Sequence, residues 1–225
     1  MFGSRERGYT LVELMIGLLV GLIVLSAVLY IFLASLRSSK DVLNSYRLNQ
    51  EVGLISDIVT GEIRRVGYWP ISGAGTSVYG AEKDLEFVSS ASSSCLLFSY
   101  YDDSNSALGQ VIRGFRFSES SGLGTLSYVA STSWGSCSTA SWVLLTDSDF
   151  IDIDTMDFQF DCWDISAEPP VSVASGTWNA SCGHEVGKII SRSIGISLEA
   201  SVVKDPVWKS RFSETIKLQN DINGE

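Results

Sequence analysis

The chain is 225 residues long, 45% hydrophobic, and carries a formal net charge of −10 at pH 7. The charge is uneven: residues 1 to 67 hold seven Lys/Arg and six Asp/Glu, whereas residues 68 to 225 hold nine and twenty. So acidic a second part repels phosphates, and no basic stripe with interleaved aromatics is present, so direct nucleic-acid binding is not expected.

In chain order, the first element is a short charged leader, residues 1–8, that runs into a long apolar segment. From Tyr9 to Leu36 the ionisable side chains are Glu13 and the phenols of Tyr9 and Tyr30. Leu14 to Leu36 would form a helix of roughly 34 Å, enough for a hydrocarbon core of about 30 Å. A secretory signal would have a shorter apolar region followed by a small-residue cleavage site, so cleavage beyond this segment is not expected. Arg5 and Arg7 favour a cytoplasmic leader and export of the C-terminal bulk, with Arg37 and Lys40 voting the other way. An acid in such a segment costs about 2.5 to 3.5 kcal/mol at mid-bilayer and less near an interface, so Glu13 is expected to have a partner and a task.

Gly8-Tyr9-Thr10-Leu11-Val12-Glu13 resembles the class III signal of type IV prepilins and pseudopilins. The resemblance implies cleavage by a membrane prepilin peptidase between Gly8 and Tyr9 and methylation of the new N-terminus at Tyr9, where the family usually has phenylalanine. It also places Glu13 at the position whose carboxylate meets the N-terminal amine of a neighbouring subunit during assembly. Physics supports such a pair, because an amine and a carboxylate attract strongly in a low-dielectric bundle and each is costly to leave alone.

Within residues 9–36, Gly17 and Gly21 form a Gly-x-x-x-Gly step that permits close helix approach. Over residues 37–67 the pattern becomes amphipathic, with Leu48, Val52, Ile55, Val59, Ile63 and Val66 on one stripe. Gly67 and Pro70 are the expected stop signals, and Gly53 and Gly61 are places for a bend.

Residues 68–225 read as a β-rich head, giving an α+β fold in which a long N-terminal helix packs on antiparallel sheet. Strands are expected at 85–89, 95–101, 110–117, 125–129, 141–146, 150–163, 188–203 and 211–218, with a bulge near Thr155 and exposed loops at 71–77 and 118–124. Cys95, Cys137, Cys162 and Cys182 all fall in the head, and an even count in an exported domain favours two disulfides. Three pairings are open to sequence. Cys95 with Cys137 and Cys162 with Cys182 is the expected set, because each encloses a serine- and glycine-rich excursion.

Metal and catalytic chemistry are not expected. No cysteine spacing suits zinc, and His184 stands without a ligand set or an oriented triad. Asp147, Asp149, Asp152, Asp154, Asp157, Asp161 and Asp164 suggest calcium, but they lack the glycine and final glutamate of an EF-hand loop and alternate as a solvated strand face would. Most of Trp69, Trp134, Trp142, Trp163, Trp178 and Trp208 are expected in the core.

Residues 62–68 (Glu-Ile-Arg-Arg-Val-Gly-Tyr), the acidic head and the terminal stretch 211–220 resemble the PilW group of minor pilins. That resemblance implies a non-enzymatic subunit without a cofactor, which helps to initiate pilus assembly for twitching motility or adhesion. The J-type pseudopilin of type II secretion is the alternative. The implied partners are minor and major pilins, the prepilin peptidase, the inner membrane and a pilus-tip adhesin. The precursor is expected in the inner membrane with its head in the periplasm, and the mature subunit in a surface fibre or at its tip.

Overall fold

The computed structural model describes residues 10–68, 85–90, 92–102, 109–132, 135–175, 182, 188–218 and 222–223. The chain divides into two compact units, Met1–Tyr46 and Arg47–Glu225. One helix, α1 (Leu11–Ile63), supplies the regular structure of the first and opens the second. Among the described residues the second unit adds β1 (Leu85–Ser90), β2 (Ser93–Tyr101), β3 (Gln110–Ser120), β4 (Leu123–Ser131), β5 (Val143–Leu144), β6 (Ile151–Asp164), β7 (Val171–Ser175), β8 (Ile189–Val202), β9 (Asp205–Lys217) and β10 (Ile222–Asn223).

The expected stripe is the buried one: Leu48, Val52, Ile55, Val59, Ile63 and Val66 are each 5% exposed or less. Each contributes about 1.5 to 3 kcal/mol by leaving water. The helix ends through tighter bonds, with Arg65 N–H donating to Glu62 O and Val66 N–H to Ile63 O. Gly67 then takes a φ of 72°, and its N–H donates to Ser99 O of β2, hooking the chain onto the sheet.

The strands form two antiparallel sheets. In sheet A, β1 to β5 lie side by side in chain order, and in sheet B the order is β7-β6-β8, with β9 and then β10 along the far edge of β8. Leu96, Phe98, Tyr100, Phe115 and Leu126 of sheet A join Phe158, Phe160, Ile194, Ile196 and Leu198 of sheet B and the helix stripe in one core. Phe87 bridges the sheets, its ring 5.0 Å from that of Phe160 and 6.1 Å from that of Phe158. The sheets also meet through backbone, where Gly124 N–H donates to Asp152 Oδ1 at 2.7 Å and Ser94 Oγ to Met156 O at 3.1 Å. The register shift between Ile153 and Thr155 is the expected bulge, and it lies at this crossing.

Four expectations need correction. Residues 118–124 are a tight hairpin, with β3 running to Ser120 and β4 starting at Leu123, because Ser121 and Gly122 both adopt positive φ (55° and 75°) as a primed two-residue turn requires. The strand expected at 141–146 pairs only over Val143–Leu144, since Leu145 and Thr146 N–H both turn to Leu126 O. β9 starts at Asp205 rather than Arg211, because an edge strand tolerates Pro206. Trp163 is 46% exposed rather than core, on the polar face of β6. The expected loop at 71–77 and Trp69, Trp134 and Trp178 lie outside the described residues.

Candidate assembly site

Thr10 and Glu13 hold the start of α1. Glu13 N–H donates to Thr10 Oγ1 at 3.3 Å and Thr10 N–H to Glu13 Oε2 at 3.5 Å. This is a reciprocal capping box, which satisfies two of the N–H groups that a helix start leaves orphaned. The Thr-x-x-Glu spacing carried that signal in the sequence, and the reading of Glu13 as an intermolecular partner passed over it. Gly8 and Tyr9 lie outside the described residues.

Beyond the cap, every large apolar side chain from Leu11 to Leu36 is more than half exposed, from Val20, Leu29 and Leu36 at 52% to Tyr30 at 75%. The segment is long and apolar enough to cross a membrane. Ser26 Oγ donates to Leu22 O at 2.7 Å, so the hydroxyl inside the apolar run is satisfied locally. At Gly17 and Gly21 an added Cβ would meet nothing within 4 Å, so the two glycines open smooth ground on the helix.

In the second unit a polar cluster fastens the end of α1 to sheet A. Tyr100 OH donates to Glu62 Oε2 at 2.9 Å and accepts from an Arg65 guanidinium nitrogen at 3.4 Å, while Arg113 Nε lies 3.9 Å from Glu62 Oε2. Burial raises the Tyr100 phenol, and it pushes Tyr128 up to about 12 with help from the Glu62 charge. The hydrogen bond to Tyr100 raises Arg65. Arg47 makes a second fastening, its guanidinium 2.8 Å from Asp147 Oδ2 and 3.9 Å from the centre of the Phe150 ring.

The acidic strand is a solvated face with protein partners except at Asp164, which, against expectation, is only 9% exposed at the end of β6. Along β6 the apolar side chains are buried in alternation, Asp154 pairs with Lys209 Nζ at 2.9 Å, and Asp161 accepts from Ser175 Oγ at 2.7 Å. Asp152 is spent on Gly124, and Ser166 holds Asp164 below the usual carboxylate range. Glu199 is lowered by Arg211 and then Lys209. No group of three metal-ligating side chains forms among the described residues. Disulfides join Cys95 to Cys137 and Cys162 to Cys182. His184 lies outside the described residues.

The chemistry on offer is therefore packing and pairing: a capped apolar helix on one unit and a tied head on the other. The profile of the family described as "prepilin peptidase-dependent protein B" matches residues 41–218, and that of the prokaryotic N-terminal methylation motif matches residues 3–29. No curated protein matches. Among solved structures, a type IV-like pilin from Thermus thermophilus is similar at 11% identity and a TM-score of 0.41, over 78% of this chain and 97% of that one. With most of its length matched by the first profile and its N-terminus by the second, the chain belongs to the prepilin peptidase-dependent protein B family of type IV pilin-like proteins.

Proposed function

We propose that the chain is a minor pilin of a type IV pilus, a non-enzymatic subunit that helps to start fibre assembly for twitching motility or adhesion. The observation that carries this reading is the uncovered apolar surface of Leu11 to Leu36, most of it within the methylation-motif match. Such a surface leaves water only in a bilayer or among similar helices. Before assembly the bilayer covers it, with the leader cytoplasmic and the head periplasmic. After cleavage between Gly8 and Tyr9, the methylated amine of one subunit pairs with Glu13 of its neighbour, and Gly17 and Gly21 admit the neighbouring helix. The exchange of lipid for helix costs little hydrophobic energy, so the ion pair and close packing set the register.

Mass spectrometry of the cellular protein with and without the prepilin peptidase tests the reading. The expected mature chain starts at Tyr9, carries one added methyl group, and is recovered in sheared surface fibres. An uncut chain in the presence of the peptidase overturns it. Confinement to the envelope of a secretion-competent cell, with none in sheared fibres, removes the pilus assignment.

A further inference from the structure

We infer that the outer face of sheet A is a docking surface for a carboxylate-bearing head of a neighbouring fibre subunit, with Arg116 and Trp142 at its centre. The inference rests on the assembly reading above.

One row of side chains builds this face. Val88, Cys95, Arg116, Ser127 and Leu144 stand directly opposite one another across β1 to β5 and therefore point to the same side. Trp142 reaches the row from a strap that is fixed three ways. Cys137 is bonded to Cys95, its N–H donates to Glu86 Oε1 at 3.3 Å, and its carbonyl accepts from Trp142 Nε1 at 3.2 Å. The indole is thus held under the Arg116 guanidinium, which lies 4.9 Å from it.

Arg116 differs from five other arginines of this acidic unit. Arg47, Arg64, Arg65, Arg113 and Arg211 each lie within ion-pair distance of a carboxylate. No carboxylate meets Arg116 among the described residues, and its Nε is buried without an acceptor. A guanidinium stacked on an aromatic presents the fork that receives a carboxylate by two parallel bonds. The surroundings fit protein rather than a small anion. Val88 is 49% exposed and Leu144 52%, so apolar side chains of the same row flank the cation. A stacked Arg and Trp ringed by apolar contacts is the composition of an interface centre. A free anion gains nothing from those neighbours, whereas an Asp or Glu on a partner head gains both the fork and the apolar contact.

Photo-crosslinking in assembling cells tests this, using the full chain with benzoylphenylalanine at Leu144 and, separately, at Val20 of the apolar helix. The expected Leu144 crosslink maps to an Asp- or Glu-containing head peptide of another subunit that bears the N-terminal methylation motif. Arg116→Gln lowers its yield by about tenfold or more, as expected for truncating one side of a desolvated charge pair, while the Val20 crosslink, the melting temperature and the Cys95–Cys137 bond are unchanged. A Leu144 yield unaffected by Arg116→Gln, or no Leu144 crosslink to a subunit beside a normal Val20 crosslink, overturns the docking surface alone. Loss of both crosslinks in the parent chain overturns the assembly reading. If Arg116→Gln lowers the melting temperature, Arg116→Lys decides. A reduced yield at normal melting supports the fork, and an undiminished yield overturns it.

Discussion

Thr10 and Glu13 satisfy each other across the first turn of α1, the hydroxyl of one accepting the N–H of the other and the carboxylate returning the bond at 3.5 Å. The longer of the two is the one made by the carboxylate, so Glu13 can exchange Thr10 N–H for a stronger, charged partner at modest cost.

This separates two roles for Glu13. Thr10→Ala should cost the helix start about 1 kcal/mol and leave assembly largely intact. Glu13→Val should insert and be cleaved normally yet fail to enter sheared fibres. Equal effects of the two substitutions, measured as subunit recovered per cell, would show that capping is all that Glu13 does.

Glycine substitutions should split by position. At Gly124 an added Cβ would stand 2.0 Å from Ile153 O, and at Gly114 2.6 Å from Leu96 O, so alanine at either forces backbone apart where the sheets or strands meet. Loss of about 3 kcal/mol or more is expected from such overpacking. At Gly61, on the exposed side of α1, nothing lies within 4 Å, and Gly61→Ala should stabilise by about 0.5 to 1 kcal/mol. Thermal melting of the three variants in detergent is the measurement.

The two disulfides should rank by the loops they close. Cys95–Cys137 spans 42 residues and Cys162–Cys182 spans 20. Chain entropy gives about 4 and about 3 kcal/mol respectively, so the Cys95→Ser/Cys137→Ser pair should melt lower than the Cys162→Ser/Cys182→Ser pair. The reverse order would mean that packing around Cys162, Cys182 and Ile190 outweighs loop closure.

Alkaline pH should loosen the seat of the helix end. The Tyr128 phenol is pushed up to about 12 and Tyr100 is raised, so both bind their protons more tightly folded than unfolded. Their contribution is complete below the ordinary phenol value of about 10 and is lost as pH climbs from there toward about 12. Tyrosinate absorbance should show late-titrating phenols, and Tyr128→Phe should remove one of them and flatten the fall in melting temperature over that window. An unchanged titration curve for Tyr128→Phe would refute the assignment.

The fold was legible wherever one face of an element meets the core and the other meets solvent. The stripe from Leu48 to Val66 and the alternation along β6 are such cases, because burial imposes a period that sequence must obey. Legibility failed where a local rule yielded to an edge or a partner. The strand placed at 211–218 begins six residues earlier because β9 lies on an edge that accommodates Pro206, and Thr146 reads as strand until its backbone turns to Leu126. Trp163 reads as core by its size alone, although its place in the alternation of β6 puts it outside.

The sequence by itself determined that the N-terminal segment is an apolar helix bearing one acid behind a processing motif, because length, hydropathy and the order Gly8 to Glu13 are properties of the chain without a fold. Only tertiary structure decided what Arg116 faces. Its row with Cys95 and Ser127, and the strap that brings Trp142 beneath it, arise from strand register and a disulfide between residues 42 positions apart. Such long-range pairing leaves no periodic trace in the sequence, which is why an arginine without a carboxylate could be recognised only once the strands were in place.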